Sequence, residues 1–107
     1  MTIQKGEITV MAINKVDYEV LDTGVTTYGR NAETLDEVIN DLVNMNGQLQ
    51  DGWTNDTADA FIERFNDEYK PALENARDAI QSISEYIAKY VQNRQDDDAQ
   101  AAAAIRS

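Results

Sequence analysis

Leu49-Gln50-Asp51-Gly52-Trp53-Thr54-Asn55-Asp56-Thr57 interrupts an otherwise periodic chain at its middle, and how it is read decides the fold. Gly, Asn and Asp supply turn chemistry, because glycine has no Cβ to restrict its backbone and the short Asn and Asp side chains bond nearby main chain. Asn55 or Asp56 can also cap a following helix by accepting from a free amide of its first turn. The stretches on both sides are long and amphipathic, so the chain reverses direction once, here.

Upstream of the turn, apolar or small residues recur at Leu21, Val25, Tyr28, Ala32, Leu35, Ile39 and Leu42, are interrupted by Asn46, and resume at Leu49 and Trp53. Steps alternating between four and three residues keep one stripe of a helix facing a partner helix. This predicts a first helix over about 18–50, capped by Asp17, with Glu19 at the positive end of its dipole. Gly24 and Gly29 each weaken it by about 1 kcal/mol relative to Ala, so its beginning is expected to be its weakest part. Val38, Val43 and Met45 widen the apolar face beyond what one neighbour covers. Asn46 has two readings on that stripe: it sets register or partner orientation, or it points into a wet junction.

Downstream, the apolar positions run Ala58, Ile62, Phe65, Tyr69, Ala72, Ala76, Ile80, Ile83, Ile87 and Tyr90, with Phe61, Leu73 and Val91 alongside. They predict a second helix over about 56–94. Pro71 lies inside it and removes a backbone donor at a cost of about 3 kcal/mol, so a kink near Asp67 to Pro71 is expected. From Gln95 the apolar period stops, and Asp96-Asp97-Asp98 followed by Ala101 to Ala104 reads as a flexible acidic, Ala-rich tail over 95–107. Residues 1–16 form an N-terminal arm; Glu7 to Ile13 fits a short strand, an extended arm, or sequence upstream of a start at Met11.

The fold class is therefore all-α: a two-helix antiparallel hairpin roughly 50 Å long, joined by a Trp-containing turn and expected to dimerise into a four-helix bundle. Hairpin and dimer packing fall to Leu35, Val38, Ile39, Leu42, Met45, Leu49, Phe61, Phe65, Ile80, Ile83 and Ile87. Gly52, Trp53 and Asn55 carry the turn. Trp53 is either the anchor of that turn or an exposed recognition element.

Composition narrows the function. Twenty acidic residues against nine basic ones give the 107-residue chain a net charge of -11, which opposes nucleic acid and anionic lipid. With no Cys and no His, thiolate and imidazole metal sites and His-based triads are excluded. Asp59, Glu63 and Asp67 recur every four residues, a spacing that calcium binding or paired acid/base catalysis can use. A solvated acidic face explains them better, since a thin bundle has little concavity to desolvate a carboxyl. No catalytic, cofactor or metal residue is assigned, and the chain is read as a non-enzyme. No run of about twenty apolar residues suits a bilayer, and Ile8 to Ile13 is short for a signal peptide, so no cleavable leader is expected.

Leu49 to Phe61, with a Trp at the turn, a long helix on each side and an aromatic at Phe61, resembles the WXG family of early-secreted-antigen-like (ESAT/Esx-like) proteins. The resemblance covers about 16–93, with Asn55 where the family has Gly. Asn is tolerant of left-handed backbone, so a turn requiring positive φ survives the change. The resemblance implies a substrate of a type VII (ESX/Ess-like) secretion system, exported as a folded dimer and acting by protein contact. Its implied partners are a second copy of itself or a related hairpin protein, and a membrane ATPase of the FtsK/SpoIIIE type. The family's C-terminal signal, Tyr followed four residues later by an acid, is not matched: Tyr86 is followed by Tyr90, and Tyr90 by Arg94. A looser signal would use Tyr86, Tyr90, Asp96 and Asp97. The rival reading is an intracellular helical chaperone or adaptor that heterodimerises with a larger partner.

Overall fold

A computed structural model describes residues 15–106, which form a helical hairpin. The segment Glu7 to Ile13 lies outside the described residues. Helix α1 spans Tyr18–Gly52. Asp17 caps it, its Oδ1 accepting from the backbone N–H of Glu19 at 3.1 Å and of Val20 at 3.2 Å. These bonds satisfy two of the amides that a helix start leaves without partners. After Trp53 the chain turns back into helix α2, Asp56–Arg64, then a π-helical turn, Phe65–Tyr69, and helix α3, Lys70–Arg106.

The π-turn sits where the sequence predicts a kink, and Pro71 explains it. In an α-helix the proline ring presses on the carbonyl four residues back and brings no N–H to bond it. Here the preceding turn is widened, and the Lys70 N–H bonds to the Phe65 carbonyl, five residues back. A wider turn accommodates one extra residue, so the side-chain pattern after it is rotated relative to the pattern before it.

That rotation corrects the predicted stripe of the second helix. Ala58 and Phe65 lie buried before the π-turn, as their spacing implies. From Tyr69 onward, Tyr69, Ala72, Ala76, Ile83 and Tyr90 of that stripe are exposed, while Ile80 and Ile87 keep to the seam, which Leu73, Ser84 and Val91 complete.

A second correction concerns the tail. The segment expected to be flexible from Gln95 is helix through Arg106. Apolar period is not needed to extend an existing helix, because nucleation has already been met and Gln and Ala are good helix formers. Arg94 and Asp98 pair one turn apart at 3.9 Å, and Gln92 Nε2 donates to Asp96 at 3.0 Å. The Tyr18 hydroxyl donates to Asp98 Oδ2 at 2.9 Å and ties the end of α3 to the start of α1. Partial desolvation and this bond hold the Tyr18 proton, raising its pKa above the usual tyrosine value. With the extended α3, the longest dimension is 73 Å, well beyond the 50 Å estimate.

The seam is narrow and filled by small groups. Ala32, Ile39, Ala58, Phe65 and Val91 are its buried apolar residues. Ser84, also buried, donates its hydroxyl to the Val25 carbonyl across the helices at 2.8 Å. The glycines expected to weaken α1 stand in this contact: a Cβ on Gly29 would lie 3.5 Å from Ser84 Oγ, and one on Gly24 3.7 Å from Ile87 Cδ1. Arg77 reaches across to Asp36 at 2.7 Å, a solvent-screened pair that helps fix the register of α1 on α3 more than it adds stability.

Gly47 is different, since a Cβ there meets nothing within 4 Å. Gly47→Ala is expected to stabilise the protein by about 0.5–1 kcal/mol through helix propensity alone, read as a raised urea midpoint with unchanged slope. A lowered midpoint would show that this face of α1 is packed in solution.

Candidate functional site

The turn at the tip is built from Trp53 and Asn55. Gly52 is the last residue of α1, and Trp53 leaves the helix with extended backbone, φ −141° and ψ 96°. Its half-buried indole packs on the Phe61 ring, centroids 5.9 Å apart and planes tilted by 37°. Such tilted pairs are worth about 0.5–1.5 kcal/mol beyond the area they bury. The contact joins the end of α1 to α2 and favours the anchoring role of Trp53.

Asn55 does not do what its tolerance of left-handed backbone suggested. Its φ of −166° and ψ of 177° are extended, a conformation open to any residue, so the turn requires no positive φ. Asn55 is there as a cap: its side-chain oxygen accepts from the Ala58 N–H at 2.9 Å. Glycine has no such acceptor, so Asn in this place closes a helix amide that glycine leaves to solvent.

The packing residues predicted from the sequence divide into two sets. Ile39 and Phe65 are buried in the seam, and Leu35, Leu49, Ile80 and Ile87 border it half-buried. Val38, Leu42, Met45, Phe61 and Ile83 are 36–46 % exposed, together with Tyr69 and Tyr90. The hairpin alone leaves this second set in water.

Asn46 sits among them with its Nδ2 buried and without a hydrogen-bond partner in the chain. Tyr86, 75 % exposed, and Tyr90, 42 %, project from α3. Asp96 and Asp97 are exposed on the same helix, Asp96 accepting from Gln92. Tyr86, Tyr90 and Asp97 follow one another at helical spacing, so an unbroken α3 places them along one side.

On one side of the hairpin an open groove between the helices is lined by Glu33, Asp36, Glu37 and Asp78 around Arg77. Hydrogen bonds to Asp78 and then Asp36 hold the guanidinium firmly in its charged form. Asp59, Glu63 and Asp67 are exposed on α2 and the π-turn. Among the described residues no group of three or more acidic side chains converges as a metal site would require, and no helix is long and apolar enough to cross a membrane. Sequence reasoning missed the interhelical partners Tyr18, Ser84, Asp36 and Arg77. All four are polar, so an apolar period does not register them.

A family model described as proteins of 100 residues with WXG, WXG100, matches residues 14–99. The chain belongs to the WXG100 family. The match spans both helices and the Trp53 turn, and it makes this WXG100 protein one of a group of small helical type VII secretion substrates that are not known as enzymes. WXG100 proteins typically pair with related hairpin proteins. No curated protein and no solved structure is significantly similar to the chain.

Two substitutions test the geometry of this WXG100 tip. Asn55→Ala is expected to cost about 1 kcal/mol in chemical denaturation while Asn55→Asp keeps near wild-type stability; equal losses would deny the capping role. Asn46→Leu removes a buried donor with no acceptor and should stabilise the isolated chain by about 1 kcal/mol, whereas destabilisation would mean that the amide is bonded in solution.

Proposed function

We propose that this WXG100 protein is exported folded, as a pair of hairpins, and acts outside the producing cell by protein contact as an effector or adaptor. The observation that carries the reading is the Trp53 turn at the head of a hairpin whose family match runs through both helices. Two features support it. The wet apolar residues Val38, Leu42, Met45 and Ile83 need cover that the hairpin does not provide. The Tyr86, Tyr90 and Asp97 side of α3 offers a signal in helical form in place of the Tyr and acid four apart that the sequence lacks. The partners proposed are a hairpin protein for the apolar face and the membrane ATPase of the secretion system for the signal.

Expression in a strain with a working type VII system, beside the same strain lacking its membrane ATPase, tests the proposal. The chain is expected in the medium of the first and only in cells of the second. Retention in both would refute export. Deleting residues 95–107 should keep the hairpin helical by circular dichroism yet stop export; undiminished export of the truncated chain would remove the tail from the signal.

A further inference from the structure

The open end of the hairpin, opposite the Trp53 turn, carries apolar surface of its own. Val20 is 64 % exposed, Tyr86 75 % and Tyr90 42 %. Val20 stands one residue before half-buried Leu21, and Tyr86 and Tyr90 stand one residue before Ile87 and Val91 of the seam. Each therefore lies about 100° round its helix from the seam in the same rotational sense, which on an antiparallel pair points to one side. Val20, Leu21 and Tyr90 accordingly line one shallow groove, together with Lys15, Val16 and Asp17.

The chain enters α1 through this groove. Where the residue before an N-cap packs on the fourth residue of the helix, that contact fixes the angle at which the chain arrives. Val16 and Leu21 hold those two places around the Asp17 cap, both half-buried and both lining the groove. Lys15, one step further out, lines it as well, so the preceding chain starts from inside the groove. Only Asn14 separates Lys15 from segment 8–13, which lies outside the described residues. Ile8, Val10, Met11, Ala12 and Ile13 fill all but one place of that segment, and it holds no charge in a chain of net charge -11. Six extended residues span about 20 Å. Tyr86 stands four helical residues from Tyr90, about 6 Å along α3, so the segment is long enough to cover both.

We propose that segment 8–13 of the same chain docks in this groove, covering Val20 and Tyr90 and reaching Tyr86, as a third element of the open end. Connectivity favours this occupant. A segment tethered this closely is present at an effective concentration in the millimolar range, whereas a free partner loses translational and rotational freedom on binding. Charge favours it too, because an uncharged apolar segment brings no ion to desolvate, and the groove's charged residues, Lys15 and Asp17, are exposed and keep their water. Val38, Leu42 and Met45 lie further toward the tip and are left as they were. The docking thus goes beyond the paired-hairpin reading and does not depend on it.

The experiment is a double-mutant cycle on the full chain, read as urea unfolding by circular dichroism at several protein concentrations. Val10→Ser with Ile13→Ser alters the segment, and Val20→Ser with Tyr90→Ser alters the groove. Val20 and Tyr90 are exposed on the hairpin itself, so the helices should tolerate their replacement. In the wild-type background the segment change is expected to lower the folded-to-unfolded ratio about tenfold or more, and in the groove background less than about threefold. Ile105→Ser, on the part of α3 beyond the Tyr18–Asp98 bond, should leave the effect of the segment change intact. No effect of the segment change in wild type overturns the docking. An equal loss in both backgrounds, or a loss that disappears with Ile105→Ser, overturns the assignment to this groove. A coupling that fades on dilution puts the segment on a second copy and overturns docking within the chain. A coupled cycle in a chain that is monomeric, or that is never exported, refutes the pairing or export reading and leaves this one standing.

Discussion

Two helices laid side by side share a single seam, and everything else about this protein follows from how little that seam can hold. Each helix turns only a narrow strip of its surface toward the other, so a hairpin has lines of buried residues where a globular domain has a core. Its buried apolar residues are Ala32, Ile39, Ala58, Phe65 and Val91, and among the described residues no large side chain is completely withdrawn from solvent. Small groups are favoured because they bring the backbones close. Gly29 faces Ser84 and Gly24 faces Ile87 where α1 lies on α3, and the Ser84 hydroxyl is satisfied by a carbonyl of the facing helix. The apolar residues beyond the seam are surplus to the hairpin, and an isolated chain exposes them at a cost of roughly 25 cal/mol for each Å² that a partner would cover.

The proline makes that surplus coherent. Without the π-turn, the heptad line through Ala58 and Phe65 would run on through Ala72 and Ala79, and the line through Ile62 and Tyr69 through Ala76, Ile83 and Tyr90. Both would stay near the seam. One additional residue at Phe65–Tyr69 rotates them outward on α3, while Leu73, Ile80, Ile87 and Val91 take their place. A stripe of apolar and alanine residues is thereby delivered to the side of the hairpin that already bears Val38, Leu42 and Met45. Pro71 is thus a phase shifter as well as an interruption, and the face it creates is continuous across both helices.

This is also where the sequence stops being legible. Alternating steps of three and four residues reveal a helix and its sidedness, and Gly52 to Asp56 reveals where the helices part, because both signals are local. The seam's position after Pro71 is not local: a single inserted residue moves it, and nothing in the apolar pattern shows whether a proline will bend, break or widen the helix. The segment after Gln95 misled for the opposite reason. Absence of apolar period does not entail absence of structure, because Gln and Ala extend a helix on propensity, and Asp98 finds Tyr18 eighty residues away. Asn55 shows a third limit, since one residue type suits both left-handed turns and helix caps, and only its backbone angles decide which is in use.

Asn46 connects the tip to the exposed apolar residues of α1. A buried amide with no acceptor costs about 1–3 kcal/mol, which a hairpin with so few buried contacts can ill sustain. It lies one residue from exposed Met45 and close in sequence to Leu42 and Leu49, so it stands at the boundary between the seam and the exposed apolar residues. On such a boundary the missing acceptor can come from the molecule that covers the face. A polar group that is satisfied only when a partner is correctly placed penalises every other placement, which is how a single asparagine in an apolar stripe fixes alignment at the expense of stability. The same energetic defect that weakens the lone hairpin would then select the one arrangement of two that repairs it.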